Sequence, residues 1–130
     1  LIQLYEAFPD HRKICVLGNT GGGRDTWKRP EMGSIAERYC EHVILTNEDP
    51  YDEDPRAIVE AMRAGMSDEA SVEIVMDRTE AIRRAIDVAP SDGYVIVSGK
   101  GTDPYIMGPN GSKEPWSDAE VVTRLLEEVE

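Results

Sequence analysis

Three short stretches of this chain gather residue types that could do chemistry. The first is Gly18-Asn19-Thr20-Gly21-Gly22-Gly23-Arg24-Asp25-Thr26-Trp27-Lys28-Arg29-Pro30. Its glycines let backbone amides approach an anion, so Gly22 and Gly23, with Lys28 and Arg29, are candidate phosphate or anion contacts, and Arg24 adds charge. It is not a dinucleotide fingerprint, because Thr20 stands where the second glycine belongs. It is not a Walker A loop either, because Arg24-Asp25 replace the required Lys and Ser/Thr. By itself it reads equally well as a tight strand-to-helix turn. The second stretch, Thr46 to Pro55, holds five acids in the seven residues from Glu48 to Asp54. Composition alone makes this a solvated charge run; the sharper alternative is a site for a cationic group or a metal. The third, Ser98-Gly99-Lys100-Gly101-Thr102-Asp103, permits close backbone approach or is simply a turn. His11 and His42 fall outside all three and read as surface or packing residues. Cys15 and Cys40 read as small core residues, since nothing near them has a metal or redox spacing.

The elements that must position these stretches are legible as two alternating patterns. Helical doublets recur in Met32/Ile35/Ala36/Tyr39/Cys40, Ala57/Ile58/Ala61/Met62, Ala81/Ile82/Ala85/Ile86/Ala89 and Val121/Val122/Leu125/Leu126/Val129. Each supplies one apolar stripe able to pack on a sheet. Pro30 can open the first helix and Asp54-Pro55 the second, while Asp77 with Glu80 and Ser117 with Glu120 have capping-box spacing. Between the helices lie short β-rich runs at 14–17, 43–46, 72–75 and 94–97, mostly continuous rather than alternating, as expected of strands covered on both faces. Residues 105–107 and 113–116 flank a turn-rich link and read as a hairpin. The order implies a Rossmann-like, doubly wound α/β domain: a mostly parallel sheet with a C-terminal antiparallel hairpin. In such a sheet ligands bind beyond the carboxyl ends of the strands, where all three stretches fall.

Bulk properties narrow the partners. A length of 130 residues suits one domain, 1–130, with one core. The formal net charge of −12 repels a phosphate backbone or an anionic membrane surface, so neither nucleic acid nor membrane is expected as a partner. No apolar run reaches the length of a membrane span and no signal peptide is visible, which leaves a reducing cytoplasm as the default location. The opening Leu1-Ile2-Gln3-Leu4-Tyr5-Glu6-Ala7-Phe8 reads as the tail of a helix, so the chain is expected to be a fragment of something longer.

Together the stretches become specific. Gly21-Gly22-Gly23-Arg24-Asp25, Lys28-Arg29-Pro30 followed by Met32-Gly33, Asp49-Pro50 and Gly99-Lys100-Gly101 resemble the carboxy-terminal domain of the Mur ligases, in particular the tripeptide-forming branch. The resemblance runs over nearly the whole chain, through Ala57-Ile58, Gly65-Met66 and Trp116-Ser117-Asp118. It implies part of an enzyme that activates a carboxylate with ATP and Mg2+, forming an acyl phosphate that an incoming amine attacks. The substrates would be UDP-MurNAc-dipeptide and a diamino acid added as third residue of the peptidoglycan stem. A central domain outside this stretch would hold ATP and magnesium, so no catalytic residue and no metal ligand is expected here.

By the same resemblance, Arg24 matches the arginine that grips a carboxylate of the amino acid. Asp49 and Tyr51 match positions that recognise its side chain, with Glu48 adding charge, and Gly99 and Asp103 belong to a loop that also contacts it. Three departures stand out. Members using meso-diaminopimelate typically carry Asn where Asp49 stands and Arg where Tyr51 stands, and the usual His and Glu after Lys-Gly are Thr102 and Asp103. The expectation is therefore a domain serving L-lysine or another diamino acid. Two alternatives stay open: a related peptidoglycan-modifying or polyglutamate-type ligase on the same scaffold, and a non-catalytic nucleotide- or anion-binding module.

Overall fold

The computed structural model describes Glu6 and residues 13–19, 26–90, 93–98 and 105–129. Strand β1 (Lys13–Leu17) is buried along its whole length and lies between β2 (His42–Leu45) and β4 (Tyr94–Val97); β3 (Val72–Ile74) lies outside β2. All three pairings are parallel, in the order β3-β2-β1-β4. Side chains alternate across the sheet. Cys15, Leu17, Val43 and Leu45 point to one face, where helices α1 (Lys28–Tyr39) and α2 (Pro55–Arg63) cover them with Ala36, Val59 and Met62. Ile14, Val16 and Ile44 point to the other, under α3 (Arg78–Val88) and α4 (Asp118–Val129) with Ala81, Ile82, Ala85, Val121 and Leu125. Two covered faces explain why the strand runs are continuously apolar.

The chain winds outward from β1 to β2 and β3, then returns to place β4 on the far side of β1. The order therefore reverses between β1 and β4, at the ends from which the glycine-rich stretch and the Ser98 stretch emerge. Strands β5 (Tyr105–Met107) and β6 (Lys113–Pro115) form the expected hairpin, around a short 3-10 turn at Pro109–Gly111. It is a two-stranded sheet of its own rather than an extension of the main one.

The helix starts largely follow the sequence signals. Asp54 Oδ1 accepts from the Arg56 N–H at 3.0 Å, Asp77 Oδ1 from the Glu80 N–H at 3.0 Å, and Ser117 Oγ from the Glu120 N–H at 3.2 Å. Pro30 does not open α1, which begins two residues earlier at Lys28. It is accommodated because first-turn amides have no intrahelical partner to lose. Helices α1 and α2 approach backbone to backbone. A Cβ on Gly33 would lie 2.0 Å from the Met62 carbonyl oxygen, and one on Gly65 would lie 1.9 Å from that of Pro30. Gly33 and Gly65 are thus packing requirements.

One expectation about the core needs correcting. Cys15 and Cys40 are buried, as read, but they are joined in a disulfide from β1 to the residue capping α1, with Cα atoms 6.3 Å apart. Their separation of 25 residues carries no pairing signal. The strand–helix–strand geometry brings the end of α1 back over the middle of β1.

Candidate functional site

Of the three stretches at the carboxyl ends, the acidic one is described in full. Gly22, Gly23, Arg24, Gly99 and Asp103 lie outside the described residues. The five acids are only partly a solvated run: Asp52 and Asp54 are exposed and Glu53 is half-buried, but each of the three has a partner. Glu48 and Asp49 are buried. Asp49 Oδ1 accepts from the Met107 N–H of the hairpin at 2.8 Å, and Asp52 Oδ1 accepts from the Asn110 N–H at 2.7 Å. Glu53 receives both terminal nitrogens of Arg29, each at 3.1 Å, and Asp54 caps α2. The run is a bracket that holds the hairpin, α1 and α2 around the end of β2.

Tyr51 sits at the apex of this bracket. Its N–H donates to the Met107 carbonyl at 3.1 Å, and its backbone is in the left-handed region at φ 52. That conformation is uncommon for a residue with a Cβ and persists only when its surroundings impose it. Here the two hydrogen bonds between the loop and Met107 impose it, and the ring is left 37% exposed.

The basic candidates at the start of α1 divide. Arg29 is buried, with Nε donating to Asn19 Oδ1 at 3.1 Å and its fork closed on Glu53, so an anion there would compete with a two-pronged ion pair. Lys28 is exposed, with its ammonium 5.3 Å from the centre of the Trp27 ring. Among the described residues no group of three or more His, Cys, Asp or Glu is placed to hold a metal.

Sequence reasoning missed the most deeply buried charge at this end. Arg78, in the first turn of α3, donates from Nε and Nη2 to the two oxygens of Asp118, at 2.9 and 3.0 Å. Its Nη1 donates to the Asn47 carbonyl at 3.0 Å and its Nη2 also to the Ser98 carbonyl at 3.1 Å. The Trp116 indole N–H completes the group by donating to Asp118 Oδ1 at 2.6 Å. One guanidinium thereby joins the loops that leave β2 and β4, on either side of β1. The available signals were a charged pair, Asp77-Arg78, at the start of a helix shortly after a strand, and the Trp116-Ser117-Asp118 run that opens the last helix; neither names the other as its partner.

Comparison with known proteins agrees with this geometry. Residues 1–101 match the family described as "Mur ligase, glutamate ligase domain". A UDP-N-acetylmuramoyl-L-alanyl-D-glutamate–2,6-diaminopimelate ligase of Aquifex aeolicus is 42% identical over 114 residues, covering 88% of this chain and 23% of the relative. The ligase of the same name from Wolinella succinogenes is 38% identical over 128 residues, 98% of this chain and 29% of the relative. A solved structure of a ligase of that name superposes with a TM-score of 0.88 at 29% identity, over 98% of this chain and 27% of the other. The chain thus spans less than a third of the length of these relatives. A parallel sheet with its order reversed at β1, a hairpin held on an acidic loop and these matches lead to one assignment: the chain belongs to the Mur ligase family, as its C-terminal domain.

Proposed function

We propose that residues 1–130 are the single amino-acid-binding domain of an ATP-dependent ligase that adds a diamino acid to UDP-MurNAc-dipeptide in peptidoglycan synthesis. The observation that carries this reading is the acidic bracket at the carboxyl end of the sheet, with Glu48 and Asp49 buried in it, in a chain of this family whose relatives are named as 2,6-diaminopimelate ligases. On this reading Arg24 takes the α-carboxylate, while Glu48, Asp49 and Asp103 create the negative field for a distal ammonium. Gly99 and Tyr51 border the same site. ATP and Mg2+ are cofactors of the whole ligase, held mainly outside this domain. Lys28 is the described side chain best placed to meet a phosphate, and Gly22 and Gly23 the backbone candidates. A cytoplasmic location belongs to the same proposal, with the Cys15–Cys40 disulfide standing against the reducing compartment it implies; among the described residues no helix is long and apolar enough to cross a membrane.

The proposed amino acid is L-lysine. A second carboxylate, as on meso-diaminopimelate, would meet the Tyr51 hydroxyl instead of a guanidinium. Tyrosine donates one neutral hydrogen bond and makes no charge-assisted, two-pronged contact. The loss is about 1.5–3 kcal/mol, or roughly 10- to 100-fold in preference. The second reading, meso-diaminopimelate, is favoured by the names of the relatives. The intact ligase assayed with L-lysine, L-ornithine and meso-diaminopimelate decides between them. Tyr51→Arg is the matching variant, since neither residue relieves the positive φ. Lysine preference that moves toward diaminopimelate in the variant is expected; equal use of both by the unmodified enzyme overturns the lysine reading.

A further inference from the structure

We propose that Arg78 is a positioning residue for the incoming amino acid, setting the distance between the acidic loop after β2 and the loop after β4 through its pair with Asp118. The inference rests on the ligase reading above. Asn47, whose carbonyl accepts from Arg78, directly precedes Glu48 and Asp49; Ser98, whose carbonyl accepts from the same guanidinium, directly precedes Gly99. The two loops contain Glu48, Asp49 and Asp103, assigned to the distal ammonium, and Gly99, assigned to the border of the same site, yet β1 separates their parent strands. The Arg78 guanidinium joins the Asn47 and Ser98 carbonyls directly, at 3.0 and 3.1 Å.

The geometry suits a fixed spacer. Arg78 is 3% exposed and a planar fork, so its four hydrogen bonds define position and orientation together. Asp118 accepts from Nε and Nη2, fixing the fork at its back, and the Trp116 N–H fixes Asp118 in turn. What remains directed at the loops is Nη1 on one carbonyl and Nη2 on the other. Backbone carbonyls do not change with the substrate, so the device sets loop spacing without touching the amino acid.

The test uses the intact ligase with Arg78→Lys, which keeps the charge but not the fork, and Trp116→Phe, which removes the indole donor behind Asp118 while keeping an aromatic ring against the core. Steady-state constants are measured separately for the amino acid, ATP and UDP-MurNAc-dipeptide. Hydrogen exchange is followed in peptides covering 46–52 and 95–104, against α1 and α2 as an internal reference. The expected result is faster exchange in both loops, quiet α1 and α2, and an amino-acid KM raised on the order of tenfold in Arg78→Lys and less in Trp116→Phe, with the KM for ATP unchanged. Unchanged loops, or exchange and all three KM values rising together, overturns the proposal by reducing Arg78 to a stability role. Loosened loops in a protein whose unmodified form ligates no amino acid would keep the spacer and overturn the ligase reading beneath it.

Discussion

Helix α3 carries two arginines, six residues apart, that bind carboxylates at opposite ends of the same sheet. Arg78, at the carboxyl end, holds Asp118 with side chains 1% and 10% exposed. Arg84, toward the amino end, holds Glu73 with side chains 50% and 30% exposed. Glu73 Oε2 also lies in hydrogen-bond contact with His42 Nε2 at 2.7 Å, and the other ring nitrogen of His42 lies 2.6 Å from Ser71 Oγ. Both ends therefore have a polar network of several members. What differs is water. At the amino end solvent screens the charges and can replace any partner that is lost, whereas at the carboxyl end nothing replaces Arg78. The contrast teaches that an ion pair gains structural authority from burial and from the backbone groups it orders, and only secondarily from its charge.

The largest expected effect breaks the comparison at its buried end. Arg78→Met leaves Asp118 as an uncompensated buried charge and should lower folding stability by about 3–5 kcal/mol, while Arg84→Met should cost no more than about 1 kcal/mol. Urea unfolding of both variants checks this. Similar midpoints would show that burial is not what separates the two pairs.

The next effect concerns the bracket. Asp49→Ala removes the acceptor for the Met107 N–H and should cost about 1–3 kcal/mol, with hydrogen exchange rising in β5 and β6. Asp49→Asn keeps a carbonyl oxygen there and should cost less. Equal losses would mean that the charge of Asp49, and not its hydrogen bond, holds the hairpin.

The smallest effect sharpens the exposed end. Partial burial pushes the Glu73 carboxyl up, but the hydrogen bonds from His42 and Arg84 and their charges outweigh it and hold the group below the usual carboxylate range. A carboxylate depressed in the folded state contributes stability that is complete above its unfolded value, near 4.5, and is lost as pH falls through the folded one. Glu73→Gln should therefore lose this small contribution at neutral pH and converge with the unmodified protein as pH falls below about 4.5, which flattens the acid limb. An acid limb unaltered in Glu73→Gln would remove this pair from the pH response. Glu37, lowered by the Ser67 hydroxyl and N–H, should act in the same direction.

The elements were legible because their signals are local. Doublets such as Ala81/Ile82/Ala85 and continuous runs such as Ile14 to Leu17 reflect one- and two-sided burial, and the Asp54, Asp77 and Ser117 caps act within three residues. The disulfide, the Arg78–Asp118 pair and the uses of Asp49, Asp52 and Glu53 were not legible, because their partners lie 24 to 58 residues away. The acidic run shows why composition misleads. Five like charges read as solvated when counted, yet Asp49 and Asp52 meet backbone donors of a hairpin and Glu53 meets an arginine. The family resemblance supplied what local patterns could not, since it compares order and spacing over the whole chain.

The central claim is that the carboxyl end of this sheet presents a diamino acid for ATP-dependent ligation. The direct measurement is product formation by the intact ligase, with ATP, Mg2+ and UDP-MurNAc-dipeptide supplied and each diamino acid added in turn, beside Arg24→Ala. The account predicts a UDP-linked tripeptide formed only when a diamino acid is present, and a sharply raised amino-acid KM in Arg24→Ala. Tight nucleotide or anion binding with no tripeptide formed from any diamino acid would contradict it.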